Sequence, residues 1–505
     1  MGVSEPDSPE QPREELAPDG SAHGASQANE PLRADFLWGA ATSAHQVEGN
    51  NENSDWWSWE QTSPGSRRER SGRSADHWHR WYDDLALLAE LGLNAYRFSV
   101  EWARVEPSPG TYDQEAIDHY RRVAARCAEL DITPLVTLNH FTLPRWLAER
   151  GGWLEASAAG RFAAYVAQVA PLLADEGVRW WTTVNEPDVL VVQGFLAGIW
   201  PPEEHSPAKA ARAHRALLRA HRLAYEAIHA AGAHHAARAG LAANAIHAGH
   251  GGPGATDGGP GSGSTPQVGI AQNMIHFLPW RPGNPADRAA AALQRRLFDQ
   301  AFLDQARRTL DFIGLNYYTH SWSRGGGLKT LLTPVFARPG ERTTQMGWAW
   351  APEGFGAMLD LVASYGKPVL VTENGIATDD DRERVEFIRL HVNEMKKAVQ
   401  RGVDVRGYFH WALLDNFEWA EGFRPRFWLI GVDYGSLERQ VRPSARFYGE
   451  IARQGGLLPG AGAGTVAADR GTEAGPADRG TNPATADPGT NAAGPAVDPP
   501  VPPQS

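Results

Sequence analysis

The chain has 505 residues, a formal net charge of −12 and a pI near 5.8. With 42% hydrophobic residues it can bury a large core, which excludes a wholly disordered protein. The acidic balance excludes a nucleic-acid partner, which needs clustered Lys and Arg, and no stretch is long and apolar enough to span a membrane.

Residues 1–30 are polar, rich in Pro, Glu, Ser and Gly, and expected to be disordered. They contain no apolar core of a secretory signal, which predicts a cytoplasmic protein. Beyond them, short strand-forming runs alternate with longer helical patterns, the mark of a βα architecture with parallel strands. Strands are predicted over 36–39, 95–99, 133–139, 180–185, 312–317, 368–372 and 406–410, with one more between the fourth and the sixth. Trp81, Leu85, Leu88 and Leu91 share a helical face after the first strand, and Phe387, Leu390, Met395 and Val399 recur similarly after the seventh. Eight such units predict one domain, a (β/α)8 TIM barrel over residues 31–454.

Two segments compete for the fifth strand. Residues 240–247 (GLAANAIH) and 269–276 (GIAQNMIH) match at Gly, Ala, Asn, Ile and His. The second is preferred because the apolar Phe277-Leu-Pro-Trp280 and a helical run follow it. The Gly/Pro-rich insertion near 248–267 reads as a flexible loop. Residues 455–505 loosely repeat Gly, Ala, Pro, Thr and Asp, too little apolar surface to offset ordering entropy, so a second disordered tail is expected.

Several reactive side chains read as structural. Cys127 follows a helical period with Ile117, Tyr120, Val123 and Leu130 and is expected to be a buried, inert thiol. His229, His234 and His235, with His247 and His250, lie in an Ala/Gly-rich stretch without ordered ligand spacing, and Asp76, His77 and His79 read as loop and helix-start residues. No metal and no cofactor are predicted.

The chemistry concentrates on two glutamates that end predicted strands: Glu186 in WTTVNEP and Glu373 in VLVTENG. Strand ends at the C-terminal rim are where barrel enzymes keep their reacting groups. Cleaving a glycosidic bond requires one carboxylic acid to protonate the leaving oxygen and one carboxylate to face the anomeric carbon. Arg97 interrupts an apolar strand, where an unpaired cation is costly, so a carboxylate partner is expected, held ionised by the guanidinium. The 19 Trp exceed ordinary core needs and suit the flat apolar faces of sugars.

Taken together, TVNEP, VTENG, FLWGAATSAHQVEG at 36–49, NAYRFS at 94–99, GLNYY at 314–318 and LLDNFEWAEGF at 413–423 resemble glycoside hydrolase family 1, the retaining β-glycosidases, over residues 34–452. The resemblance implies that Glu186 is the general acid/base and Glu373 the nucleophile. It implies that Gln46, His140 and Asn185 hydrogen-bond sugar hydroxyls, that Arg97 and Tyr318 support the nucleophile, that Trp411 forms an aromatic floor, and that Glu418 and Trp419 read the outer hydroxyls. Two positions depart from the family: Phe141 stands where a Trp is common, and Trp428, after Arg424-Pro425-Arg426, is expected to reshape the aglycone entrance.

The implied function is an exo-β-glycosidase that hydrolyses β-glucosides and/or β-galactosides through a covalent glycosyl-enzyme intermediate, with a small β-glycoside or oligosaccharide as its partner. Trp419 is present and no phosphate-binding Ser, Lys and Tyr set is visible, which favours an unphosphorylated sugar. A transglycosylase using the same site and a non-catalytic sugar-binding barrel are the alternatives, and a homo-oligomer remains open.

Overall fold

A computed structural model describes residues 30–62, 69–249, 265–327, 330 and 333–458. The segment 1–29, most of the 248–267 insertion and everything beyond 458 lie outside the described residues. Eight parallel strands close a barrel in sequence order: β1 (Leu37–Ala41), β2 (Ala95–Ser99), β3 (Thr133–Thr137), β4 (Trp180–Asn185), β5 (Gln267–Pro279), β6 (Ile313–Ser323), β7 (Val369–Asn374) and β8 (Val405–Trp411). Each is followed by a helix that packs on the outside: α1 (His77–Glu90), α2 (Gln114–Glu129), α3 (Ala158–Asp175), α4 (Pro207–Gly249), α5 (Pro285–Gln294), α6 (Pro352–Ala363), α7 (Asp381–Gln400) and α8 (Pro443–Arg453). The architecture is the (β/α)8 TIM barrel. Strand five contains the second of the two competing segments, and the first, 240–247, is part of the backbone of α4.

Alternation along the strands separates two cores. Ala95, Leu135, Phe312, Leu370 and Phe409 point into the lumen and form one apolar cluster, distinct from the larger core between sheet and helices. Glycines make room for the bulky lumen residues. A Cβ on Gly39 would come within 2.6 Å of the Phe409 ring, and one on Gly269 within 2.9 Å of the Phe312 ring. Gly39→Ala is therefore expected to overpack the lumen and cost about 1–3 kcal/mol, read as a lower urea midpoint; an unchanged midpoint would show that the floor is loosely packed. Two residues further along the same strand faces come Arg97, Thr137 and Thr372, so a polar layer sits on the apolar floor.

The helices bury the expected stripes with small rotations. Leu85 and Leu88 of α1 are fully buried, while α7 buries Phe387, Ile388, His391, Val392 and Met395 and leaves Leu390 and Val399 at the edge of the stripe. Cys127 is fully buried, and burial pushes its thiol up to about 12, which leaves it an inert thiol at neutral pH. The histidines read as structural form side-chain pairs: His77 Nδ1 with Asp84 at 2.8 Å, His79 Nδ1 with Asp76 at 2.7 Å, His229 Nε2 with Asp311 at 2.8 Å and His235 Nδ1 with Asp175 at 2.9 Å. The side chains of His234 and His247, and all of His250, lie outside the described residues. Among the described residues no helix is long and apolar enough to cross a membrane. The two ends of the barrel domain meet where the Leu32 N–H donates to the Gly455 carbonyl at 2.7 Å.

Candidate active site

Strict alternation would turn one of the two glutamates away from the lumen, and a bulge prevents it. Leu315 of β6 pairs with Val371 of β7, but the next residue, Asn316, pairs with Glu373, so Thr372 is an extra residue in β7. The insertion re-aims Glu373 inward although Thr372, its neighbour, also faces the lumen. Strand β4 contains a similar irregularity, three residues against two, between the Thr182–Gly269 and Asn185–Ala271 pairs. Thr183 points outward to His221 of α4 and Val184 packs in the outer core, yet Asn185 returns to the lumen to meet Arg97.

Glu186 then takes a left-handed turn at φ 43° and ψ 59°, with its N–H donating to the Ala271 carbonyl at 2.7 Å. A non-glycine residue held there costs about 1–3 kcal/mol, a strain typical of functional positions. From Phe312, just before β6, up to Tyr318 side chains alternate, which sends Phe312, Gly314, Asn316 and Tyr318 to one face; the register with β5 shifts only beyond Tyr317. Asn316 and Tyr318 thereby reach the two acids from the same strand.

The partners of the two acids differ. Glu373 is ion-paired through Oε1 with Arg97 Nη1, and its Oε2 accepts the Tyr318 hydroxyl at 2.6 Å. Burial, reinforced by the charge of Glu373, holds the Tyr318 phenol well above its usual range, so it remains a proton donor. Arg97 is fully buried and also donates to Thr137 Oγ1 at 3.1 Å, the Thr372 carbonyl at 3.2 Å and Asn185 Oδ1 at 2.6 Å. Among the described residues no cation pairs with Glu186. Its Oε1 accepts from Asn316 Nδ2 at 2.7 Å, and burial, then the nearby Glu373 charge, raise it to about 8. One acid is paired with a cation and the other is biased to keep its proton, although both stand in the same pocket.

The neutral groups follow from this network. Asn185 Oδ1 accepts from Arg97 and, at 3.2 Å, from Asn316, so its Nδ2 is the donor toward His140 Nε2 at 3.2 Å. His140 therefore carries its hydrogen on Nδ1, a buried atom with no partner among the described residues. Burial, with Arg97 nearby, holds the ring well below its usual range and keeps it neutral. It stacks between Trp411, at 5.8 Å and 18°, and Trp419, at 6.0 Å and 12°. Glu418 is raised to about 8 by burial and then by Glu373.

The pocket measures about 290 Å³ and is lined by Glu186, Glu373, Asn185, Tyr318, His140, Trp411, Glu418 and Trp419. Arg97 and Gln46, two further residues singled out in the sequence, stand one layer back. Gln46 is fully buried: its Nε2 donates to Asn416 Oδ1 and to the Phe417 carbonyl, both at 3.0 Å, lies 3.2 Å from Glu418 Oε2, and its Oε1 accepts from Ser43 at 2.7 Å. In this arrangement it holds Glu418. Phe141, at φ 73°, lines the pocket beside His140 and packs on Trp419 at 5.1 Å and Trp200 at 4.9 Å.

Trp428 departs from expectation. It does not line the pocket; it is buried between the guanidinium groups of Arg426, 4.6 Å away, and Arg442, 5.0 Å away, while its neighbour Phe427 faces the site. Asn316 is a site residue that sequence reasoning misses; its one signal is its place in GLNYY, within β6. Among the described residues no group of three or more His, Cys, Asp or Glu converges as a metal site.

Comparison with known proteins agrees with this geometry. The model for glycosyl hydrolase family 1 matches residues 28–457. Beta-glucosidase A of Thermotoga maritima is 32% identical over 449 residues, covering 84% of this chain and 98% of that one. The bifunctional beta-D-glucosidase/beta-D-fucosidase of Bifidobacterium breve is 33% identical over 82% of this chain and 96% of its own length. The solved beta-glycosidase from Pyrococcus horikoshii superposes with a TM-score of 0.75 at 39% identity, covering 85% of this chain and 97% of that one. The beta-glucosidase from Thermotoga maritima in complex with glucoimidazole gives 0.72 at 30% identity, over 85% and 99% of the two chains. With the family match spanning the whole barrel and both strand-end glutamates in one pocket, the chain belongs to glycosyl hydrolase family 1 and is a glycoside hydrolase.

Proposed function

We propose that the protein is a retaining exo-β-glycosidase acting on β-glucosides, and on β-galactosides or β-fucosides to the extent that the sugar pocket tolerates them. The observation that carries this reading is the asymmetry of the two acids: Glu373 is ion-paired with Arg97, whereas Glu186 is raised to about 8 and bonded to a neutral amide. A nucleophile must be an anion and an acid catalyst must hold a proton, and this division supplies both.

In the first step Glu373 attacks the anomeric carbon while Glu186 protonates the departing oxygen. In the second, Glu186 takes a proton from water, which attacks the glycosyl-enzyme from the opposite face and restores the β configuration. Exo action is supported by Trp411 and Trp419, which line the pocket with the two acids and are themselves buried. His140 and the Glu418 carboxyl are the lining groups suited to the outer hydroxyls of the sugar. Phe141 adds apolar contact there and no donor. The names of the relatives, a beta-glucosidase and a beta-D-glucosidase/beta-D-fucosidase, support the choice of sugar.

The pH dependence follows from the sign of the Glu186 shift. Activity needs the protonated acid, so kcat/KM is present below about 8 and falls as pH rises through that value. Because the charge of Glu373 is one cause of the shift, Glu373→Gln should move the Glu186 titration downward, followed by 13C NMR of labelled glutamate. An unmoved titration would show that the two carboxyls do not sense each other. Asn316→Ala removes the donor that positions Glu186 and is expected to lower kcat by about 10- to 100-fold, the worth of one hydrogen bond to a charged or reacting carboxyl, with little change in KM. A purely structural role would instead lower thermal stability and leave kcat intact.

A further inference from the structure

Each acid is served by a partner from another strand, Arg97 of β2 for Glu373 and Asn316 of β6 for Glu186, and both partners are tied to one further residue. Thr372 of β7 accepts from Arg97 Nη1 through its carbonyl oxygen at 3.2 Å, and its hydroxyl donates to Asn316 Oδ1 at 2.6 Å. Thr372 is fully buried and is not among the residues that line the pocket, so it acts only through others.

Its place follows from the bulge and from a gap in the neighbouring strand. As the extra residue of β7, Thr372 faces the lumen together with Glu373, where regular alternation would allow only one of them. Gly314, two residues before Asn316 on the same face of β6, leaves the space for it. A Cβ on Gly314 would stand 2.9 Å from both Thr372 Cγ2 and Thr372 Oγ1. A β-branched side chain is stiff at χ1, so packing both branches against β6 fixes where the hydroxyl points.

What that hydroxyl does for Asn316 follows from counting donors and acceptors. Asn316 Nδ2 donates to Glu186 Oε1 at 2.7 Å and to Asn185 Oδ1 at 3.2 Å, which uses both of its hydrogens. Asn316 is fully buried, and among the described residues Thr372 is the donor to its Oδ1. Without the hydroxyl a buried acceptor is left unpaired, which is costly. The amide relieves that cost only by turning or tilting, and either movement takes Nδ2 off Glu186.

We propose that Thr372 is a positioning residue for proton transfer: its hydroxyl holds the Asn316 amide, and through it the Glu186 carboxyl, in the orientation that delivers the proton to the departing oxygen. Its carbonyl meanwhile steadies Arg97 and so Glu373, which lets a single residue inserted in β7 register the two acids against each other. This inference rests on the β-glycosidase reading.

Thr372→Val keeps the branched shape and removes the donor. It is expected to lower kcat/KM for methyl β-glucoside, whose leaving group needs protonation, by about 5- to 30-fold, and for 4-nitrophenyl β-glucoside, whose leaving group does not, by about twofold or less. Thr372→Ser, which retains the hydroxyl, should stay within about threefold of the parent on both substrates. In the Asn316→Ala background, Thr372→Val should cost about twofold or less, because the two side chains act as one unit. Thr372→Ala removes the same hydroxyl without adding a methyl and takes the place of the valine variant if thermal melts show that the latter does not fold. Equal losses for the two substrates, a serine variant no better than the valine, or fully additive losses in the double variant would overturn the proposal. If the parent protein does not cleave 4-nitrophenyl β-glucoside, the β-glycosidase reading fails and this assignment falls with it.

Discussion

Glu373→Gly is expected to abolish hydrolysis of an aryl β-glucoside, by about 10⁴-fold or more in kcat, because the covalent path disappears with the carboxylate. The cavity left behind opens toward the anomeric carbon from the side the carboxylate occupied. Azide should enter it and attack, giving an α-glucosyl azide, the product of a single inversion. The variant also leaves the buried Arg97 guanidinium without its partner, a change that typically costs about 3–5 kcal/mol, so a thermal melt must accompany the kinetics. Glu373→Gln fills the same space, retains an acceptor for Arg97 and should be equally inactive. Undiminished activity in both variants, or a β-azide from the Gly variant, would remove Glu373 from the nucleophile's role.

Glu186→Ala should separate substrates by leaving group. Poor leaving groups such as alkyl alcohols need protonation, and their kcat/KM should fall about 10²- to 10⁴-fold, the usual worth of general acid catalysis. An activated aryl glucoside needs none, so its first step should survive. Its second step should slow for want of a base, giving a burst of released phenol followed by a low steady rate. Azide, which needs no base, should relieve the second step and yield a β-glucosyl azide. The descending limb of the pH profile near 8 should vanish with the group that produces it. Equal losses for good and poor leaving groups would place Glu186 outside proton transfer. The opposite azide anomers from the two variants are the sharpest joint outcome, since they report the two faces of the sugar ring.

Much of the site is legible in the amino-acid sequence, because its signals are local. Arg97 in NAYRFS marks a buried cation in need of a carboxylate, and the barrel pairs it with Glu373. Tyr318 in GLNYY matches a residue that supports the nucleophile, and it donates to Glu373 at 2.6 Å. Other positions are displaced from expectation by one residue or one layer. Trp428 stands out as an unusual residue, but Phe427 faces the pocket. Gln46 is expected on the sugar, but its amide is occupied by Asn416, Phe417 and Glu418. Asn316, the partner of Glu186, escapes a reading by motif because a single asparagine within a strand has no distinctive pattern of its own.

The barrel and its pair of acids are encoded locally. Alternating apolar runs, helical stripes and strand-end carboxylates are properties of contiguous residues, and contiguous residues are what a sequence displays. Which way the acids face, and how their proton affinities part, comes from contacts made on folding. The bulge at Thr372 re-aims Glu373 through pairing with β6, and Glu186 is set by burial, by Asn316 from β6 and by the charge of Glu373 from β7. A carboxyl's ionisation depends on the charges and donors a few ångströms away, and closing the barrel brings those together from strands far apart in the chain.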